Sequence, residues 1–231
     1  MKKIGLNPLG NNRKVLLMRG VFGTIALTLF FYTIQHIPLA SAVTIQYLSP
    51  IFTALFATIF LKEKMKVKQW LYFGMSFTGV ALLKGFDDRV SMVFMLIGII
   101  SAMFSGMAYT CIRQLKDTEN PIVVVFYFPL IATPIMGVLT YFQWVQPIQS
   151  DWFLLLLMGV FTQIAQILMT KGLQSAVINK IISVKYVGTF WALGFGYILF
   201  GESYNIFSLI GIIMVLIGVI LNLKKKSINY Q

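Results

Sequence analysis

The sequence predicts an all-α integral membrane protein of about eight transmembrane helices arranged as two inverted repeats. Three observations predict it. First, 58% of the 231 residues are hydrophobic and only 11% are charged, against about a quarter charged in soluble domains. Long apolar runs lie between the charge clusters, and about 20 such residues let a helix cross a bilayer. Second, the segment 20–82 recurs without a gap 139 positions later, residue 20 falling on 159 and residue 82 on 221. Third, the Lys and Arg excess in the short loops alternates along the chain, as it does when loops face opposite sides of a membrane. Helices are expected over a barrel because a helix satisfies its own backbone hydrogen bonds in lipid. A barrel needs strands that alternate apolar and polar, and runs such as Phe153-Leu154-Leu155-Leu156-Leu157 do not.

The repeat is carried by particular residues. Gly20-Val21-Phe22 falls on Gly159-Val160-Phe161, and Ile25, Ala26 and Leu29 fall on Ile164, Ala165 and Leu168. Tyr47 falls on Tyr186, Phe56 on Phe195 and Glu63 on Glu202. Met75, Gly79, Val80 and Leu82 fall on Met214, Gly218, Val219 and Leu221. The ungapped register and the shared Glu after each long apolar run argue against a chance match of composition.

Residues 1–14 form a basic tail with Lys2, Lys3, Arg13 and Lys14. Spans are expected at 15–35, 40–61, 67–84, 91–113, 121–142, 152–171, 177–200 and 205–223, followed by a basic tail at 224–231 that opens Lys224-Lys225-Lys226. The loop at His36 and Pro38 carries no Lys or Arg, whereas 62–68 carries Lys62, Lys64, Lys66 and Lys68. The loop at 84–90 is mixed, and the next has Arg113 and Lys116 against Asp117 and Glu119. The loop at 143–151 has only Asp151, the turn after the sixth span has Lys171 and Lys180, and the turn after the seventh has only Glu202. Basic loops face the cytoplasm, so both termini are expected there. The span opening the first copy then runs outward and the span opening the second runs inward, which makes the repeats inverted. That symmetry is typical of secondary transporters, with the substrate site near the midplane.

The net charge of +12 does not point to nucleic acid, because the basic residues flank apolar runs as membrane anchors do. The single cysteine, Cys111, excludes an internal disulfide. No cleavable signal peptide is visible: the first apolar run is interrupted by Arg19 and lacks a small-residue cleavage pattern.

The order of Tyr47-Leu48-Ser49-Pro50, a long apolar run, Lys62-Glu63-Lys64 and a Gly-rich closing helix, with Phe200-Gly201-Glu202 ending the matching run of the second copy, resembles the EamA domain of the drug/metabolite transporter superfamily. The resemblance covers nearly all the chain. It implies ten helices in two inverted five-helix repeats that export or exchange small metabolites without ATP. Counted from the alignment of Glu63 with Glu202, 15–84 holds three helices of the first repeat and 91–223 all five of the second. The family's first two helices have no counterpart, so the chain is truncated, starts late, or is a genuine eight-helix form. The expected function is a secondary transporter of a small polar metabolite in the bacterial cytoplasmic membrane. The alternative is a non-transporting membrane subunit, a remnant of a ten-helix transporter.

No HExxH, GxSxG, P-loop or CxxC is present, so no enzyme activity, cofactor or metal is expected. Polar groups inside spans are the candidates for a substrate site. Lys185 lies nine residues into the seventh span, about 13 Å of helix. Its repeat counterpart is Gln46, beside the paired Tyr47 and Tyr186. Lys185 either snorkels to the interface or faces a cavity and meets an anionic substrate. Gln163, Gln166 and Thr170 share one helical face, which lines the cavity or bonds across to a neighbour. Pro50, Pro129 and Pro134 lie within spans as hinges or plain kinks. Gly98, Ser101, Ala102 and Ser105 form a small-residue packing face. His36 is expected at an interface, and Glu63 and Glu202 in structural roles. The expected partners are a small-molecule substrate, of anionic character if Lys185 meets it, and the lipid bilayer; a homodimer stays open.

The topology is testable by labelling. With Cys111 replaced by Ser, single cysteines at Ser150 and at Gln231 should differ in reactivity toward an impermeant thiol reagent added outside intact cells. Only the first should react, and equal labelling of both overturns the inverted arrangement.

Overall fold

A computed structural model describes Asn7 and residues 9–62, 67–175 and 187–224. Among these residues all regular structure is helical: α1 (Arg13–Ile34), α2 (Leu39–Gln46), α3 (Ser49–Phe60), α4 (Val67–Phe86), α5 (Met92–Gln114), α6 (Pro121–Phe142), α7 (Gln149–Gln174), α8 (Val187–Phe200) and α9 (Ile206–Lys224). Among the described residues, five stretches are long and apolar enough to cross a membrane, with α2 and α3 counted as one: Arg13–Ile34, Leu39–Phe60, Met92–Gln114, Pro121–Phe142 and Gln149–Gln174. The helices match the expected spans to within a few residues. The exception is the seventh, of which only α8 falls within the described residues.

The second span is one apolar run but two helices. Pro50 lies in the first turn of α3 and offers no N–H to the carbonyl of Gln46, so the α ladder cannot pass through. The chain crosses the gap with shorter-range bonds, Leu48 N–H to Ile45 O and Ile51 N–H to Leu48 O. By contrast α6 keeps a single helix through both Pro129 and Pro134. Its start is fixed by Asn120, whose side chain accepts the Ile122 N–H at 3.0 Å.

The chain divides into two compact units. The first comprises residues 1–24 and 111–176, the second 25–110 and 177–231. In the first, the segment before α1 is tied to the loop before α6. The Glu119 carboxylate accepts the Asn11 and Asn12 N–H groups at 2.5 and 2.6 Å, and Tyr127 donates to Leu9 O at 2.8 Å. Gln174, at the end of α7, reaches Leu115 O and Glu119 O. These segments, which the charge pattern assigns to one side, thus meet at one end of that unit.

In the second unit α4 and α9 lie against each other, and their contacts show the repeat in three dimensions. A Cβ on Gly79 would lie 2.7 Å from Gly211 O and 2.9 Å from Val215 N. A Cβ on Gly218 would lie 2.8 Å from Tyr72 O and 3.2 Å from Ser76 N. Adding 139 to residues 72, 76 and 79 gives 211, 215 and 218. The contacts 79–211 and 72–218 therefore exchange under the repeat, as do 79–215 and 76–218. Ser76 and Val215 map onto each other, and Ser76 Oγ lies 3.5 Å from Val215 O. The paired numbers rise on one helix as they fall on the other, so the helices are antiparallel. A pseudo-two-fold perpendicular to their axes passes at Ser76 and Val215.

The loops before α2, before α5 and before α9 meet at one end of this unit, as the charge pattern expects. The Glu202 carboxylate accepts the Leu39 N–H at 2.7 Å and the Tyr204 hydroxyl at 2.9 Å, which caps α2 and bears out a structural role for Glu202. Gly201, with φ +60°, closes α8 with the Glu202 N–H bonded back to Gly196 O, a turn that favours glycine. Arg89 grips Asp87 at 2.9 and 2.8 Å and also donates to Ser203 O. Burial works to raise the Asp87 carboxyl, but the hydrogen bonds and charge of Arg89 outweigh it and hold the group below the usual carboxylate range. Burial, and then the neighbouring Glu202, raise the Tyr204 hydroxyl. His36 stacks on Phe94 with ring centroids 4.1 Å apart.

Two outcomes follow. Gly79→Ala and Gly211→Ala each force the α4–α9 backbones apart and should each cost about 1–3 kcal/mol, read as a lowered Tm in detergent. Gly74→Ala, whose Cβ would meet nothing within 4 Å, should leave Tm unchanged. Because Asp87 is depressed on folding, its contribution is complete above an unfolded carboxyl pKa of about 3.9 and fades as pH falls through the lower folded value. Tm measured from pH 6 downward should show this acid limb, and Asp87→Asn should remove the part due to Asp87.

Candidate functional site

Each unit places polar side chains inside its apolar spans. In the second unit they gather at the α2–α3 break. Gln46, the last residue of α2, donates from Nε2 to Ser105 Oγ at 2.6 Å, and its Oε1 lies 3.2 Å from Ser101 Oγ. Ser101 in turn donates to Ala26 O at 2.7 Å. The small-residue face of α5 is a packing face, as its composition predicts: a Cβ on Gly98 would lie 3.1 Å from Ile45 Cγ2. It also satisfies the Gln46 amide, which the sequence does not reveal. Tyr47 is buried, and its hydroxyl end presses on the start of α8, where a Cβ on Gly188 would lie 2.6 Å from the oxygen. Pro50 follows at once.

In the first unit the polar centre is Arg19. It lies six residues into α1, about 9 Å along the helix, and only 2% of it is exposed. The guanidinium is built into place. Its Nη2 donates to Gln166 Oε1 at 3.0 Å, and its carbon sits 5.0 Å from the centroid of the Phe128 ring, within cation–π range. One turn along α1, Gly23 leaves room for it: a Cβ there would lie 2.5 Å from Arg19 Nη1 and 3.1 Å from the Phe128 ring. An Arg within a span is costly to insert in a membrane, by up to about 2.5–3.5 kcal/mol at a helix centre, and this pairing offsets part of that penalty. Arg19 does not snorkel.

The Gln163, Gln166 and Thr170 stripe splits on this unit. Gln163 is exposed, Gln166 is half-buried against Arg19, and Thr170 is fully buried. Its hydroxyl has no partner among the described residues. Pro129 directly follows Phe128 inside α6, with Pro134 a turn beyond. Lys185, Tyr186 and Glu63 lie outside the described residues. Arg19 is the residue that sequence reasoning passed over as a mere interruption of an apolar run. The available signal was a full positive charge inside an apolar run, with Thr24 and Thr28 as the polar residues among the twelve positions that follow it.

Comparison with known proteins adds to this geometry. A family model described as the EamA-like transporter family matches residues 1–84 and 92–224. The pseudopaline exporter CntI of Pseudomonas aeruginosa (strain UCBPP-PA14) is 30% identical over 208 residues, covering 89% of this chain and 73% of the exporter. Human solute carrier family 35 member G1 is 27% identical over 221 residues, covering 87% of this chain and 60% of its own length. A solved structure titled only as the crystal structure of a protein superposes with a TM-score of 0.63 over 97% of this chain and 81% of its own, at 17% identity. It carries the fold alone.

Proposed function

The chain belongs to the EamA-like transporter family, and from that membership we propose that it is a secondary transporter of a small polar metabolite, working by alternating access in the bacterial inner membrane with both termini cytoplasmic. The observation that carries the mechanism is the α4–α9 seam. Its contacts exchange under the 139-residue offset about an axis perpendicular to the helices, which supports inverted repeats. Two inverted halves interconvert inward- and outward-open states of the same packing. The direction we propose is export, by similarity to the Pseudomonas exporter. The polar groups at the α2–α3 break and around Arg19 are the proposed path, with Pro50, Pro129 and Pro134 as hinges. Lys185 and Tyr186 join the path on the repeat alignment with Gln46 and Tyr47.

A second reading, a membrane subunit that works with further helices, has one observation behind it. Ile51 and Phe52 are 0% and 7% exposed, yet their repeat counterparts Phe190 and Trp191 on α8 are 74% and 61% exposed. A face buried in one copy and bare in the other suits additional apolar helices packed there.

One experiment separates the two. Proteoliposomes containing this chain alone are loaded with a bacterial metabolite extract, and the released compounds are identified by mass spectrometry. Release of a defined set, absent from protein-free liposomes, is expected. No release by a well-folded chain removes the transporter reading and leaves the subunit.

A further inference from the structure

We propose that Arg19, Gln166 and Thr170 form the recognition point for a carboxylate group of the cargo, inside the first unit. This deepens the transporter reading and rests on it for the word cargo, though not for binding itself.

The three helices that build the point share a depth. Arg19 is six residues from the start of α1, Phe128 seven from the start of α6, and Gln166 eight from the end of α7, so all lie about 9–12 Å from one end of the unit. A headgroup phosphate at the bilayer surface does not reach a side chain that deep and only 2% exposed. The donors suit an oxyanion. A guanidinium presents a planar fork of N–H groups that matches a carboxylate two at a time. Gln166 turns its oxygen to Arg19, which leaves its amide N–H groups as donors. Thr170, one turn further on the same face of α7, holds a hydroxyl that is fully buried and has no partner among the described residues. Ser49 and Ser208 hold buried hydroxyls of the same kind, both in the second unit; among the described hydroxyls of the first unit Thr170 is the one in this state, and a ligand oxygen would supply its partner. Neutral donors beside a guanidinium suit a carboxylate monoanion better than a phosphate dianion, whose second charge is costly to bury.

The point is closed by the Phe128 ring. The next residue, Pro129, has no N–H for the carbonyl of Val125 and weakens the α6 ladder at that turn. Flexing α6 there carries the ring off the guanidinium and admits the carboxylate between Arg19 and Thr170.

Two measurements test this. Thermal unfolding of the purified full chain is followed with sodium succinate, citrate or glutamate, and with chloride and phosphate at equal ionic strength. At least one carboxylate should raise Tm by about 2 °C or more over chloride and phosphate. The shift should vanish in Arg19→Gln and shrink in Thr170→Val, an isosteric change that keeps the fold if Arg19→Gln does not accumulate. In the liposome assay, released compounds should carry a carboxylate, with rates at least tenfold lower in Arg19→Gln and partly kept in Arg19→Lys. Carboxylate-dependent shifts without release leave the site standing and remove the transporter reading. Release of compounds lacking a carboxylate, parental shifts in both Arg19→Gln and Thr170→Val, or no shift by any carboxylate overturns the site.

Discussion

Hydrocarbon offers no partner for a hydrogen bond, and the structure is ordered by that constraint. A polar atom in a span must find its partner within the protein or leave the span. Many of the hydroxyls obey it in one way. Thr24, Thr33, Thr44, Thr53, Thr58, Ser76, Thr78 and Thr110 each donate to the carbonyl four residues back. These residues thereby sit in a helix at little cost and say nothing about function. Thr170, like Ser49 and Ser208, is buried without such a partner among the described residues. The larger polar groups obey the constraint in pairs, Gln46 with the α5 serines and Arg19 with Gln166.

The same constraint explains the seam between α4 and α9. In lipid there is no hydrophobic gain from bringing two apolar helices together, so close backbone packing has to supply the attraction. Glycine is the residue that permits it, and Gly79, Gly211 and Gly218 stand where the backbones approach. Gly79 and Gly218 are counterparts in the repeat and meet the carbonyls of Gly211 and Tyr72, which are counterparts too. The symmetry of the seam follows from the symmetry of the sequence.

Much of this was legible in the sequence, and the reasons differ by residue. The spans were legible because apolar runs bounded by charge have few alternatives in a membrane. The repeat was legible because its register has no gap. The break at Tyr47 and Leu48 was visible only as a proline, since Pro50 interrupts its helix whereas Pro129 and Pro134 do not, and that depends on what the neighbouring turns can rebond. Arg19 and Gln166 are 147 positions apart, and neither residue names the other. A Gln stripe at helical spacing reads equally as cavity lining or as glue between helices until a neighbour is known.

The repeat also has a limit that bears on function. Its two copies share residues but not surroundings: Phe52 is covered by α5, where a Cβ on Gly106 would lie 2.6 Å from Phe52 Cβ, and Trp191 at the equivalent position is exposed. Burial here is a property of the neighbour, not of the residue. The polar centre of the first unit departs further, since the counterparts of Arg19, Gln166 and Thr170 are Met158, Leu27 and Phe31. A scaffold of two inverted halves is suited to interconverting two states of opposite access, and that calls for symmetry in the packing elements. Residues that meet a cargo are under no such demand, since each touches one group of it. Symmetry in the glycine seam and asymmetry at Arg19 thus each fit their own task.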